Sequence, residues 1–186
     1  FIGETNVAAS TKESNYTSIP DLKDVDFSDN DAYVHITSNN TIYGTQWKQF
    51  PDLTHAPLVA DMSSDILSRS LDVEKFGLIY AGAQKNLGPS GVTVVIAKKE
   101  IIDSAQTNHV PTMLRYSTFS KNDSLYNTPP TFGIYLLGKV LEWVESIGGL
   151  TKLEEANEEK ARVIYETIDE SNGFFSGHAE ASSRSL

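Results

Sequence analysis

The stretch Tyr80-Ala81-Gly82-Ala83-Gln84-Lys85-Asn86-Leu87-Gly88-Pro89-Ser90-Gly91 sets one lysine between an apolar run, Phe76 to Ala83, and a loop punctuated by Gly88, Pro89 and Gly91. A strand on one side and a tight turn on the other present the Lys85 amine at the edge of a sheet. An amine in that position can lose hydration and form an imine with a carbonyl compound. The next apolar run, Val92 to Ala97, follows too closely for a helical crossover, so these two strands are expected to pair antiparallel. Upstream, Leu58 to Asp61 and Leu78 to Ala83 are nearly continuous in apolar character, as strands covered on both faces of a parallel sheet should be. Tyr33 to Thr37 reads as a fourth strand. The expected fold class is α/β, a mostly parallel sheet with flanking helices.

A lysine between a strand and a loop is ordinarily a surface cation, and its context here is what raises it. The run Leu58-Val59-Ala60-Asp61 ends in an acid, where an unpaired carboxylate would be costly. That acid reads equally well as a helix cap. Together, an acid and a lysine at successive strand ends are the two groups a pyridoxal phosphate enzyme requires, one for the pyridinium nitrogen and one for the aldehyde. A nucleotide-binding P-loop is excluded. It needs Gly-Lys-Ser/Thr after its second glycine, whereas Gly88 is followed by Pro89-Ser90 and the lysine precedes it.

The chain has 186 residues, enough for one domain with a real core. Its formal net charge of −10 argues against a general nucleic-acid or anionic-membrane binder, which would need a basic face. No apolar run approaches the roughly 20 residues needed to span a bilayer. There is no cysteine, hence no disulfide framework and no thiolate chemistry. No signal peptide is visible, and a cytosolic location is expected. His35, His55, His109 and His178 lack metal-ligand spacing, and His35 is expected to be a hydrogen-bonded core residue. Three Asn-x-Ser/Thr triplets, beginning at Asn15, Asn39 and Asn122, read as chance matches. The start at Phe1 and the uncapped tail Ser182 to Leu186 lead us to expect a processed or truncated chain.

From Ala97 to Thr128 the sequence is polar and irregular, and reads as loop. Asn127-Thr128-Pro129-Pro130 then predicts a helix start, a polar cap with proline near the first turn. Phe132, Leu136, Val140, Val144 and Ile147 recur at helical steps before Gly148-Gly149 stops the helix. A second helix is expected from about Thr151 to about Asp169. Leu153, Ala156, Ala161, Ile164 and Ile168 form its apolar face, and Glu154, Glu155, Glu158, Glu159 and Lys160 a solvated one.

Three segments in order carry a more specific resemblance: Asp61-Met62-Ser63-Ser64-Asp65-Ile66-Leu67-Ser68-Arg69, the Tyr80 to Gly91 stretch, and Tyr126-Asn127-Thr128-Pro129-Pro130-Thr131-Phe132. They resemble the phosphoserine aminotransferase family, class V of the fold-type I pyridoxal phosphate enzymes. The resemblance implies that residues 1–147 form part of the cofactor-binding large domain and residues 148–186 a helix leading into a small C-terminal domain. It also implies pyridoxal 5'-phosphate held on Lys85, with Asp61 at the pyridinium nitrogen. Thr41, within Asn39-Asn40-Thr41-Ile42-Tyr43-Gly44, would bond the phenolic oxygen, and Ser63 and Gln84 the cofactor phosphate. Asn127 and Thr128 would reach the phosphate of a neighbouring subunit's cofactor, which implies a homodimer with shared active sites. Their place at a helix start would suit them to that role, because unpaired N–H groups there attract phosphate.

The implied reaction moves an amino group from L-glutamate to 3-phosphohydroxypyruvate, giving O-phospho-L-serine and 2-oxoglutarate. A parallel role in pyridoxine synthesis is implied in bacteria. Once released from the cofactor, Lys85 would carry the proton. The family also implies a stacking tryptophan and a phosphate loop on an N-terminal segment, and basic residues in a C-terminal domain. Trp47 and Trp143 do not match the first, Trp143 being expected in a core or interface, and no motif assigns Arg69 or Arg115 to substrate. The 186-residue piece alone is therefore expected to be inactive. Rival readings are another fold-type I enzyme, such as a cysteine desulfurase or an alanine–glyoxylate-type aminotransferase, or a non-catalytic chain that keeps the fold.

Overall fold

A computed structural model describes residues 3–186 apart from 26 and 29, so Phe1 lies outside it. A four-stranded sheet forms its centre, in the order β1 (Val34–Thr37), β4 (Leu58–Asp61), β5 (Phe76–Gly82), β6 (Thr93–Ala97). The first three strands are parallel and β6 is antiparallel to β5, as the apolar runs predict. Between β1 and β4 a small hairpin pairs β2 (Asn39–Asn40) with β3 (Thr45–Gln46). It is too short and too polar to show in the hydrophobic pattern.

The central strands β4 and β5 are largely buried because their side chains are apolar on both faces, whereas β1 and β6 at the two edges are mostly exposed. On one face Ile36, Leu58, Ala60, Phe76, Ile79 and Ala81 meet Trp47, Met62, Leu87 and Val92 in a continuous core. Phe76 is almost fully buried and makes an edge-on contact with Phe50, ring centroids 4.9 Å apart. On the other face Val59, Leu78 and Tyr80 line a cavity of about 470 Å³, closed by Ile101 and Ile102 of α1 (Lys99–Ser104) and by Tyr116 of α2 (Tyr116–Ser120). These two short helices correct the expectation of an irregular segment after Ala97. At six and five residues they are too brief to display a helical period.

The turn from β5 to β6 closes through backbone bonds, Gly88 N–H to Ala83 O at 2.8 Å and Ala83 N–H to Val92 O at 2.9 Å. Gly91, at φ +96°, takes a conformation that L-residues with side chains rarely adopt. Against this turn packs α3 (Thr131–Ser146), whose Gly133 lies close enough that an added Cβ would meet Val92 at 2.9 Å. The helix begins after the two prolines, with Pro130 in the cap position and no side-chain cap. Asn127 therefore does not cap it, a correction with a simple cause: proline restricts the residue before it to extended backbone. Within α3, Val144 is buried and Leu136 and Val140 are half-buried, but Phe132 is 72% exposed and Trp143 is exposed too.

Gly148, at φ +105°, separates α3 from α4 (Gly149–Asp169), which starts two residues earlier than expected. Of its predicted apolar face, Leu153, Ala161 and Ile168 are half-buried while Ala156 and Ile164 are exposed. Two polar contacts lock α4 to the body: Asn157 Nδ2 donates to Ser68 O at 2.8 Å, and Ser70 N–H to Glu154 at 3.0 Å. His35 is exposed rather than in the core, although it is hydrogen-bonded, to the Tyr80 hydroxyl at 3.0 Å. No helix among the described residues is long and apolar enough to cross a membrane.

Replacing Phe76 by Ala should cost about 3–5 kcal/mol of unfolding free energy, because it removes a large ring from a filled core. Urea denaturation of the two proteins checks this; a loss below about 1 kcal/mol would show that the sheet does not rest on that contact.

Candidate active site

β1 and β4 end level with each other, Thr37 opposite Asp61, while β5 passes Tyr80, opposite Asp61, and continues two residues to Gly82. Their exits therefore open side by side, on strands about 4.8 Å apart. The last backbone groups are satisfied across the exits, Ser38 N–H to Asp61 O at 3.0 Å and Met62 N–H to Tyr80 O at 2.9 Å.

Asp61, half-buried at the end of β4, accepts two bonds on Oδ1, from Ser63 N–H at 2.9 Å and Ser63 Oγ at 2.6 Å. A carboxylate bonded to the amide two residues on makes an Asx turn. The helix-cap reading of Asp61 thus gives way to a turn, since no helix follows it directly. Ser63 Oγ also accepts from Gly82 N–H at 3.1 Å and so joins the exit of β4 to the end of β5. Three residues beyond Gly82, Lys85 Nζ donates to Thr41 Oγ1 at 2.7 Å.

Thr41 sits at the tip of the β2–β3 hairpin. Its turn is shaped by Asn40, whose side-chain oxygen accepts from Ile42 and Tyr43 N–H and whose carbonyl accepts from Gly44 N–H. The amide of Gln84 folds over Gly82, with Oε1 2.4 Å from where a Cβ would stand. Thr41, Gln84 and Lys85 are all exposed, so the lysine amine is not desolvated by this chain, contrary to the expectation from its flanking residues.

Five of the seven sequence-selected residues thus gather at the exits of β4 and β5 and the hairpin beside them, in two bonded groups, Asp61 with Ser63 and Lys85 with Thr41, while Gln84 lies over Gly82, whose N–H bonds Ser63. Asn127 and Thr128 do not join them. Both are exposed in the segment ahead of α3, where Asn127 Nδ2 donates to Thr128 O at 3.2 Å. Neither lies on the first helical turn, so the helix-start argument for phosphate attraction does not apply to them. The two arginines without a motif are bonded to backbone carbonyls, Arg69 to Trp47 O and Arg115 Nε to Val110 O at 2.6 Å.

The structure adds polar residues that pattern reading passed over. Tyr80 lies beside Asp61 in register and carries the His35 contact. Burial and the nearby Asp61 negative charge hold its hydroxyl above the ordinary tyrosine range. Behind the edge, Ser38, Gln46 and Asp65 form a buried cluster, and Asn39 and Ser64 bond each other twice. Aligning the ends of the apolar runs would have revealed Tyr80; nothing in the local pattern marks Ser38 or Gln46.

The donor set fits pyridoxal phosphate. It offers a primary amine for an aldehyde, a carboxylate for a protonated ring nitrogen, a hydroxyl for a phenolic oxygen, and Ser and Gln for a phosphate. Comparisons with known proteins agree. Residues 5–185 match the family model described as aminotransferase class-V. Over 186 residues the chain is 64% identical to a phosphoserine aminotransferase of Alkalihalobacillus alcalophilus, covering 100% of this chain and 51% of that relative. A solved phosphoserine aminotransferase, studied for radiation damage of its Schiff base, superposes with a TM-score of 0.97 at 64% identity, over 99% of this chain and 51% of that one. A phosphoserine aminotransferase from Trichomonas vaginalis, solved with pyridoxal phosphate bound, gives a TM-score of 0.91 at 39% identity, over 100% of this chain and 51% of that one. The chain spans about half the length of the curated relatives it matches.

Tyr80 provides a pH test. A raised folded-state value favours the neutral hydroxyl, so its contribution to stability is present below about pH 10 and is lost as pH rises through the folded value. Ultraviolet titration should show one tyrosine ionising above the others, and Tyr80→Phe should remove it and flatten the alkaline loss of stability. An unchanged titration in Tyr80→Phe would contradict the assignment.

Proposed function

The chain belongs to the class-V aminotransferase family, and on that premise we propose that the whole protein carrying it is a phosphoserine transaminase dependent on pyridoxal phosphate. It transfers the amino group of L-glutamate to 3-phosphohydroxypyruvate, releasing O-phospho-L-serine and 2-oxoglutarate, and serves serine biosynthesis and, through a related phosphorylated oxo acid, pyridoxine biosynthesis. The observation that carries this reading is the meeting of Lys85 with Thr41 at 2.7 Å on the same sheet edge as the Asp61–Ser63 turn.

When bound, the cofactor supplies an aldehyde that exchanges amines and a ring that takes up electrons from the substrate carbon. Lys85 holds that aldehyde and, once free, moves a proton at Nζ. Asp61 would pair with the ring nitrogen through a carboxylate already oriented by two bonds from Ser63, so little reorganisation would be needed as charge develops. Thr41 would donate to the phenolic oxygen, and Ser63 and Gln84 would hold the phosphate.

Asn127 and Thr128, exposed and remote from these five, reach the cofactor phosphate of a second subunit in a homodimer with shared active sites. Residues 1–147 form part of the large domain, and residues 148–186 lead into the small one. The partly exposed Val95 and Ile96 on the edge strand β6 support a sheet that continues in other segments of the whole protein. The 186-residue chain by itself is inactive, and the protein is cytoplasmic.

In the full-length protein, added pyridoxal phosphate should produce the visible absorption of a lysine imine. Lys85→Ala should abolish that band, leave the far-ultraviolet circular dichroism intact and lower turnover by at least about a hundredfold. A surviving band would refute the lysine assignment. Turnover with another donor–acceptor pair but not with glutamate and 3-phosphohydroxypyruvate would refute the substrate assignment, and robust activity of the isolated chain would refute its proposed inactivity.

A further inference from the structure

We infer that Asp65 is a positioning residue that fixes Thr41 by clamping both legs of the hairpin that carries it. Asp65 is buried, yet it touches none of the five residues at the sheet edge through a side-chain hydrogen bond among the described residues. A buried carboxylate persists only where hydrogen bonds replace its lost hydration. Those bonds come from two places. Ser38 Oγ donates a short bond to Oδ1, and Gln46 Nε2 donates to Oδ2 at 3.2 Å.

Ser38 immediately precedes β2 and Gln46 lies in β3, so one carboxylate grips the hairpin on both sides of the turn that presents Thr41. The orientation of Gln46 is itself set. Its Oε1 accepts from Lys48 Nζ and Leu186 N–H, each at 3.2 Å, which turns Nε2 toward Asp65. Ser38 also ties the clamp to the catalytic edge, since its backbone N–H donates to Asp61 O.

The far side of the turn is held by Tyr43, whose ring lies 5.0 Å from those of Tyr16 and His178, and by Gly44 O, which accepts from Ser185 N–H at 2.9 Å; the Thr41 side has no such contact except Lys85. Thr41 is exposed and Ile42 is 86% exposed, so no core packing determines where the tip lies. Its position relative to Lys85 is therefore transmitted through the legs. Ser64 bonds the first leg at Asn39 and Arg184 bridges the second at Thr45, but Asp65, which follows Asp61 and Ser63 in the same segment, is the group that bonds both legs at once. The carboxylate thereby sets the spacing between the hydroxyl of Thr41 and the acid of Asp61, the two groups that address different edges of one ring.

This inference rests on the reading of Thr41 as a cofactor ligand, and a double-mutant cycle separates the two. In the full-length protein loaded with pyridoxal phosphate, the quantities read are the cofactor dissociation constant and the visible circular dichroism per bound cofactor. Asp65→Ala should weaken binding on the order of tenfold and reduce the dichroism. In a Thr41→Ala background the same change should alter neither by more than about twofold, because the residue it acts through is gone. Should Asp65→Ala not fold, Ser38→Ala removes a single hydroxyl of the clamp and enters the same cycle. A full effect of either clamp variant in the Thr41→Ala background, or no effect in the parent, overturns the inference. If Thr41→Ala itself changes nothing, the reading of Thr41 falls, and the inference with it.

Discussion

Two parallel strands, β1 and β4, stop at the same level beside a third that runs two residues further, and the site follows from what their exits must do. At that level each chain leaves the sheet with backbone groups that the ladder no longer satisfies, and an unpaired buried group costs about as much as a lost hydrogen bond. Ser38 N–H and Met62 N–H close two of these gaps onto Asp61 O and Tyr80 O. Ser63 Oγ closes a third, on Gly82 N–H, and in doing so holds the carboxylate of Asp61. The groups that finish the sheet are thus the same groups that assemble the candidate site.

Much of this was legible because two constraints write themselves into local sequence. Strands buried on both faces must be apolar throughout, which exposes Leu58 to Asp61 and the Phe76 run. A short glycine-containing link must reverse the chain, which makes β6 antiparallel. From these alone, Asp61 and Lys85 fall on neighbouring strand ends.

The β2–β3 hairpin escaped because its stability comes from distant partners. Asn39 bonds Ser64, Gln46 bonds Asp65, and Thr45 bridges to Arg184 near the other end of the chain. Each of these pairs joins residues separated by many positions, and no window of sequence contains both members. Asn127 misled for the opposite reason. A polar residue before proline is a strong local start signal, yet two successive prolines moved the helix beyond its reach. The short helices α1 and α2 fall between these cases, being local but below the length at which a period can be seen.

The partner of Lys85 explains how an exposed side chain is held in one orientation. A carboxylate within reach would hold the amine as an ion pair and favour its charged form. Asp61 lies on the adjacent strand, but its Oδ1 is occupied by Ser63, and among the described residues Lys85 forms no ion pair. Its bond goes to a hydroxyl instead, which orients Nζ. Because Thr41 stands on an exposed turn, that orientation is only as good as the hairpin beneath it. A buried carboxylate, two legs and a serine shared with β1 provide the rigidity that the turn lacks, and they place it where it does not compete for the amine. Two aspartates four positions apart are thus bonded differently, Asp61 to Ser63 at the strand exit and Asp65 to both legs of the hairpin that meets Lys85.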